Sequence, residues 1–380
     1  MSGVGAFLLR HRRWLAGLLA ALVGLLNQRL PWDLEDFSDL GLAVLTGRFD
    51  EAYAGPWTQA GPLQLVLSPL LFLGAHDGIP PALPRIIVAV ALTLGAIAAG
   101  RGQPVREVAA AILALLWLTG PVPWDGHPVE VAMPILWAYA MVLSGKGRWL
   151  AAAFALGVSV WIAPVAVLGF GCLLGVTGLR GAVRTAVTAA GIAVLGYLPF
   201  VLSGEFGMFG HVWPVGAGTL PELLGMHEVT WTARLGQAVV VGGGCALVAY
   251  LLRGRLVVVA AAPLAAALLR VITDPMSFDY YWLPVSVGTV LLVALMPDDL
   301  PTWRQVLLAV VGYAAVVGAA IGPAPLVALV CLVGYLVAGV PFGGATRSSD
   351  PRTVVGNSLG PPDYGDPLIR AGLSPRKVLR

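Results

Sequence analysis

Six carboxylates, Asp33, Glu35, Asp36, Asp39, Asp50 and Glu51, fall between Pro31 and Leu70 in a chain with only 20 acidic residues among 380. A carboxylate within hydrogen-bond reach of a hydroxyl can take its proton as the oxygen attacks, so Asp33 and Asp36 are candidate general bases. The alternatives are structural: Asp36 or Ser38 caps a helix that runs through Thr46, and Asp39 is merely solvated. Arg85 and Arg270 each sit about a turn inside the end of an apolar run. A charge there either snorkels to the headgroups or meets an anion, and a lipid phosphate suits a guanidinium well. His127 and Glu130, three apart at the start of another run, are expected on one helix face, aimed at a cavity or capping the helix. His76, His211 and His227, with Glu205, Glu222 and Glu228, add further polar groups. None of these forms an HExxH or comparable ligand pair, so no metal is expected.

The elements that position these groups are set by composition. The chain is 58% hydrophobic and only 11% charged, against roughly 25% charge in soluble domains. Its apolar runs are continuous rather than alternating, so each must satisfy its own backbone as a helix. An all-α polytopic membrane protein follows, with membrane lipids as its surroundings. The net charge of +3 offers no basic surface for nucleic acid. Cys172, Cys245 and Cys331 are scattered through apolar runs without ligand spacing and read as small core residues. The start, MSGVGAFLLRHRRW, resembles a signal-peptide n-region but lacks a following cleavage pattern, which points to an uncleaved first span.

Arg10, Arg12 and Arg13 place the N-terminus in the cytoplasm, and the later basic connections near Arg106, Arg148, Arg184, Arg253 and Arg304 fall on the same side. About twelve spans result: Trp14 to Leu26, then about 84–99, 107–121, 129–144, 149–161, 164–178, 185–203, 235–252, 256–272, 280–296, 305–321 and 324–341. Both termini are cytoplasmic. Leu63 to Ala75 is too short to span and contains Pro69, so it is expected to lie on the outer face. Trp149 to Gly178 is read as two short helices meeting near Trp161 and Pro164. Residues 1–342 thus form the membrane domain, and 343–380, rich in Gly, Pro, Ser and Arg, a disordered cytoplasmic tail. Tryptophans near span ends are mostly interfacial anchors.

On this topology the polar residues collect outside: the acidic loop at 31–75, PVPWDGHPVE at 121–130, the long loop at 204–234, and RVITDPMSFDYYW at 270–282. The order of these pieces resembles the GT-C superfamily of integral-membrane glycosyltransferases, in particular the bacterial polyprenyl-phosphate-mannose type. The likeness is carried by a charged first span, the acidic loop with DFSDLGLAVLTG and QAGPLQLVLSPL, then GHPVE, ALGVSVWIAPVAVLGF and DPMSFDYYWLP, and it covers most of Trp14 to Leu300. It implies transfer of a sugar, mannose or arabinose, from a polyprenyl-phosphate donor to an envelope glycolipid or glycan at the outer face of the plasma membrane, with no cofactor. The family's catalytic aspartate falls on Asp33, with Asp36 next. A lysine common in the family is replaced here by Trp161 and Ile162, which leaves the phosphate to Arg85 or Arg270. Glu35, Gln59, His127, Glu130, Trp161, Tyr280 and Tyr281 are the expected substrate contacts. The competing function is a transporter or lipid flippase, which calls for midplane charges and helix repeats that are not evident. A structural subunit of envelope machinery is a third.

Overall fold

The computed structural model describes residues 3–27, 33–79, 81–100, 102–118, 127, 129–204, 206–296, 300–318 and 322–339. The expected tail at 343–380, together with Pro31, Trp32, Glu205 and most of 121–128, lies outside these residues. The described chain is helical almost throughout, as an apolar backbone that cannot bond to water requires.

The first long helix, α1 (Gly3–Leu26), is followed by a compact helical insert of α2 (Leu34–Leu45), α3 (Phe49–Ala52) and α4 (Pro62–Phe72). Gly47, at φ 85°, turns the chain out of α2, and Pro62 opens α4 with its fixed φ and no N–H to satisfy. The insert packs on itself because Gly41 lets α2 approach the backbone of α4; a Cβ there would lie 2.0 Å from the Leu65 carbonyl oxygen. Phe37, Tyr53, Leu65 and Phe200 form its core. The insert also docks on the apex of a later helix: Gly61 N–H donates to the Ile162 carbonyl at 2.9 Å.

Next come α5 (Ala82–Ala99), α6 (Pro104–Leu113) continued by a π turn at Ala114–Leu118, α7 (Val129–Gly145) and α8 (Trp149–Ile162). At Ala163 the backbone is extended, and the chain restarts as a twelve-residue 3-10 helix at Pro164–Gly175. The stretch from Trp149 to Gly178 is therefore two short helices broken at the expected point. Then follow α9 (Leu179–Leu202), a loop with the short α10 (Leu220–Leu223) and a two-stranded hairpin pairing β1 (Trp213–Pro214) with β2 (Glu228–Val229). The last helices among the described residues are α11 (Trp231–Leu251), α12 (Val258–Thr273), α13 (Leu283–Leu295), α14 (Thr302–Val316) and α15 (Ala324–Gly339).

Three of these, α5, α9 and α11, are long and apolar enough to cross a membrane. They expose large apolar side chains outward, among them Ile87, Leu195 and Val239, as lipid-facing helices do. By contrast α12 is buried along nearly its whole length, packed against α7, α11, α13 and α15. Small residues, Ala260 to Ala262 and Ala265 to Ala267, permit that close packing. At one end of the bundle Arg12 and Arg13 of α1 pair with the buried carboxylate of Glu107 on α6, Arg13 at 2.6 Å.

The contact at Gly41 gives a direct test. Gly41→Ala is expected to destabilise the detergent-solubilised protein by about 1–3 kcal/mol. Gly95→Ala, whose Cβ would meet nothing within 4 Å, is expected to leave the thermal midpoint unchanged or slightly raised; equal effects of the two would remove the case for the α2–α4 contact.

Candidate active site

At the end of the bundle away from Glu107, all four segments rich in polar residues open onto one cavity of about 370 Å³. Asp33 stands just before the first turn of α2 but makes no side-chain capping bond. Its Oδ2 instead lies 2.8 Å from His127 Nε2, and its side chain is 42% exposed. The helix begins at Leu34, so Asp36 and Ser38 lie inside it and neither is a cap. Glu35 and Asp36 are exposed and take no part in the cavity lining.

His127 lies before α7 rather than on its face, since the helix starts at Val129. Its ring is fixed from two sides: Tyr280 stacks on it at 3.7 Å and Phe37 meets it edge-on at 6.2 Å. Glu130, in the first turn of α7, is 3% exposed. It accepts two hydrogen bonds from Arg270, at 2.5 and 2.9 Å. Arg270 is delivered by the last turn of the buried α12, with its guanidinium carbon 4.6 Å from the Tyr281 ring centre. Asp274, one turn further on, accepts a hydrogen bond from Arg234 of α11 at 3.1 Å. These four groups form one chain of alternating charge, Glu130, Arg270, Asp274 and Arg234, across α7, α12 and α11.

Opposite them, Gln59 lines the cavity while its amide donates to the Pro56 carbonyl at 2.8 Å. Trp57, about half exposed, stacks parallel on Phe37 at 6.0 Å. The hairpin contributes Trp213, whose ring carries the Arg234 guanidinium at 4.4 Å and meets His211 edge-on at 4.7 Å. Charged lining groups number three carboxylates, Asp33, Glu130 and Asp274, against two guanidiniums, Arg234 and Arg270. The cavity is thus a polar, aromatic-walled pocket with no excess of positive charge. Among the described residues no group of three or more His, Cys, Asp or Glu converges.

No family model, curated protein or solved structure matches this chain.

Of the residues singled out from the sequence, Asp33, Gln59, His127, Glu130, Arg270, Tyr280 and Tyr281 share the cavity. Trp161 does not line it. Its indole N–H donates to the carbonyls of Ile192 and Ala193, at 2.9 and 3.1 Å, and so fastens α8 to α9. Arg85 is also outside the lining, buried on α5. Sequence reasoning missed Arg234 and Asp274 as site residues. Arg234 carries the signal that picked out Arg85 and Arg270, a cation in the end turn of an apolar helix. Asp274 is one turn beyond Arg270, close enough to serve the same guanidinium.

Two tests follow from this network. Glu130→Ala leaves a buried guanidinium without its main partner and is expected to cost about 3–5 kcal/mol, whereas Glu130→Met combined with Arg270→Met restores much of that loss. A double variant no more stable than Glu130→Ala would contradict the pairing. Burial first, and Arg234 second, hold His211 below its ordinary value. The unfolded chain therefore binds that proton more readily, so His211's contribution to stability is intact above about pH 6.5 and lost as pH falls through its lowered folded value. The thermal midpoint is expected to drop across that acidic range in the wild type and to drop less in His211→Phe.

Proposed function

We propose that this chain is a membrane glycosyltransferase that moves a sugar from a lipid-phosphate donor to an envelope lipid or glycan acceptor at the outer face, with Asp33 as general base. The observation that carries the reading is Asp33 itself. One carboxylate oxygen is held by His127 at 2.8 Å, while the side chain remains 42% exposed on the wall of an aromatic cavity. The other oxygen has no hydrogen-bond partner among the described residues, so an acceptor hydroxyl can approach it.

The chemistry asks for one base. As the acceptor oxygen bonds to the anomeric carbon, its proton passes to Asp33 Oδ1, and the bond between that carbon and the phosphate oxygen breaks with its electron pair going to the phosphate. Inverting transfer of this kind needs no second carboxylate at close range. His127, clamped between Tyr280 and Phe37, fixes the direction of Asp33 and keeps the base from swinging into a helix cap. Trp57 and Trp213 supply flat apolar faces for sugar rings.

The departing phosphate requires a cation that carboxylates have not already neutralised. Arg270 gives two donors to Glu130, and Arg234 gives one to Asp274. Arg85 has no such acceptor among the described residues, which makes it the available guanidinium. Twelve crossings, with α2 to α4 and the 203–230 loop outside and both termini in the cytoplasm, complete the proposal. The meeting of residues 33, 127, 211 and 270 in one cavity supports that parity.

In membranes supplied with a radiolabelled polyprenyl-phosphate sugar, Asp33→Asn is expected to lower transfer by about 10²–10⁴-fold with normal insertion. Asp36→Asn is expected to transfer at the wild-type rate. Wild-type transfer by Asp33→Asn would overturn the assignment, and a loss confined to Asp36→Asn would move the base to that residue.

A further inference from the structure

The end of the bundle opposite the cavity carries a patch of basic residues that the site does not use. The cavity is lined at Val129, Ala163, Arg234 and Arg270, so the turns joining α7 to α8 and α11 to α12, and the turn leading into α9, lie at the other end. In and beside these turns stand Lys146, Arg148, Arg180, Arg184, Arg253 and Arg255, while the chain has no Asp or Glu from 131 to 204 or from 229 to 273. Lys146, Arg148, Arg180 and Arg184 are exposed. Neither they nor Arg253 have a carboxylate partner among the described residues.

Two contacts gather the cations of separate turns. The Arg184 guanidinium carbon lies 4.1 Å from the centre of the Trp149 ring, which joins α9 to the turn that carries Arg148. Nη2 of Arg253 comes within 4.0 Å of where a Cβ on Gly178 would stand, two residues before Arg180. Arg180 and Arg184, one turn apart, share a face of α9. A guanidinium laid flat on an indole keeps its N–H groups in its own plane, so Arg184 is held in place with its donors still available. Apolar surface begins beside these charges: Leu150 and Phe154 on α8, with Val183 and Val187 on α9, are each more than half exposed. The second pair belongs to a helix long and apolar enough to cross a membrane.

We propose that Arg148, Arg180, Arg184 and Arg253, with Trp149, bind the headgroup of an anionic bilayer phospholipid in the leaflet opposite the cavity, its acyl chains lying along Leu150, Phe154, Val183 and Val187. A phosphodiester presents oxygens that match the forked donors of a guanidinium. A choline head adds a cation that the arginines repel, which sets anionic lipids apart from zwitterionic ones. Basic loops gather on one side of a membrane in any case. That sorting does not stack one arginine on an indole or draw the arginine of another turn to the start of α9. A soluble anion would meet the charges and leave the apolar stripes unused. The proposal stands on the membrane setting of the chain and not on the transferase reading, and the lipid is a resident of the patch rather than a substrate.

The test measures lipid binding to the full-length protein in detergent by native mass spectrometry, with dioleoylphosphatidylglycerol as the probe. The wild type is expected to bind it more tightly than dioleoylphosphatidylcholine, and Arg180→Gln combined with Arg184→Gln to weaken binding by about 10–30-fold. Arg10→Gln combined with Arg304→Gln removes the same charge from the same end outside the patch, and is expected to leave binding unchanged. Equal losses in the two double variants would mean diffuse attraction and overturn the site. Trp149→Ala keeps every charge, and so the sorting of loops across the membrane, and is expected to weaken binding by about 3–10-fold; it covers the case in which the arginine variants insert wrongly. Wild-type affinity in Trp149→Ala would remove the indole from the site and overturn the proposal as stated. Phosphatidylcholine bound as tightly as phosphatidylglycerol would mean ordinary boundary lipid. Displacement of the lipid by millimolar inorganic phosphate would place an anion there without a bilayer lipid, and would likewise overturn it.

Discussion

A guanidinium buried among apolar helices has to be matched, and the pairing of Arg270 with Glu130 is the constraint on which this end of the molecule depends. Arg270 rides on α12, a helix enclosed along nearly its whole length, and Glu130 on the first turn of α7. Two hydrogen bonds between planar groups fix distance, direction and register together. Replacing such a pair with hydrocarbon can leave a protein equally stable, so its effect is better counted in specificity than in stability. Here it sets where α7 begins, and therefore where His127, three residues earlier, can reach Asp33. Asp274 and Arg234 extend the same arrangement to α11, so helices distant in sequence agree on the position of one wall.

The helices and the gathering of polar loops were legible because the bilayer leaves little choice. A continuous apolar run must be a helix, and basic loops sort the ends, so segments far apart in sequence were assigned to one face and do meet in one cavity. The break at Ala163 was likewise visible as a proline following an apolar run flanked on both sides by basic residues. Individual roles were harder to read. The start of α2 at Leu34 decides that Asp33 is free to turn toward His127 while Asp36 points to solvent, and a helix starting three residues later would have put Asp36 in the position just before it. Trp161 looked like a site residue from its place at an apex, yet its N–H is used on the backbone of α9. The partnership of Arg234 with Asp274 spans 40 positions and depends on helix packing that no local pattern encodes.

The insert of α2 to α4 shows how small residues do the positioning in a molecule with little polar surface. Gly41 and Gly61 place backbone against backbone, the first within the insert and the second against the apex of α8. Asp33 is thereby joined to the bundle through two close contacts of main chain, as well as through His127. Neither contact has a side chain to recommend it, and composition alone does not distinguish these glycines from Gly95, beside which there is open space.

The 3-10 segment at Pro164–Gly175 bears on how chain length maps to depth within the helical bundle. Its twelve residues, at about 2.0 Å each, extend as far as roughly sixteen residues of α-helix. A tighter coil is a longer and thinner one. The segment can therefore cover most of the depth of its neighbours with few residues, while its slender girth lets Gly169 pass under the ring of Trp137 and Gly171 against the backbone of α11. Axial reach is a product of residue number and winding, and this segment uses the second factor where the first is short.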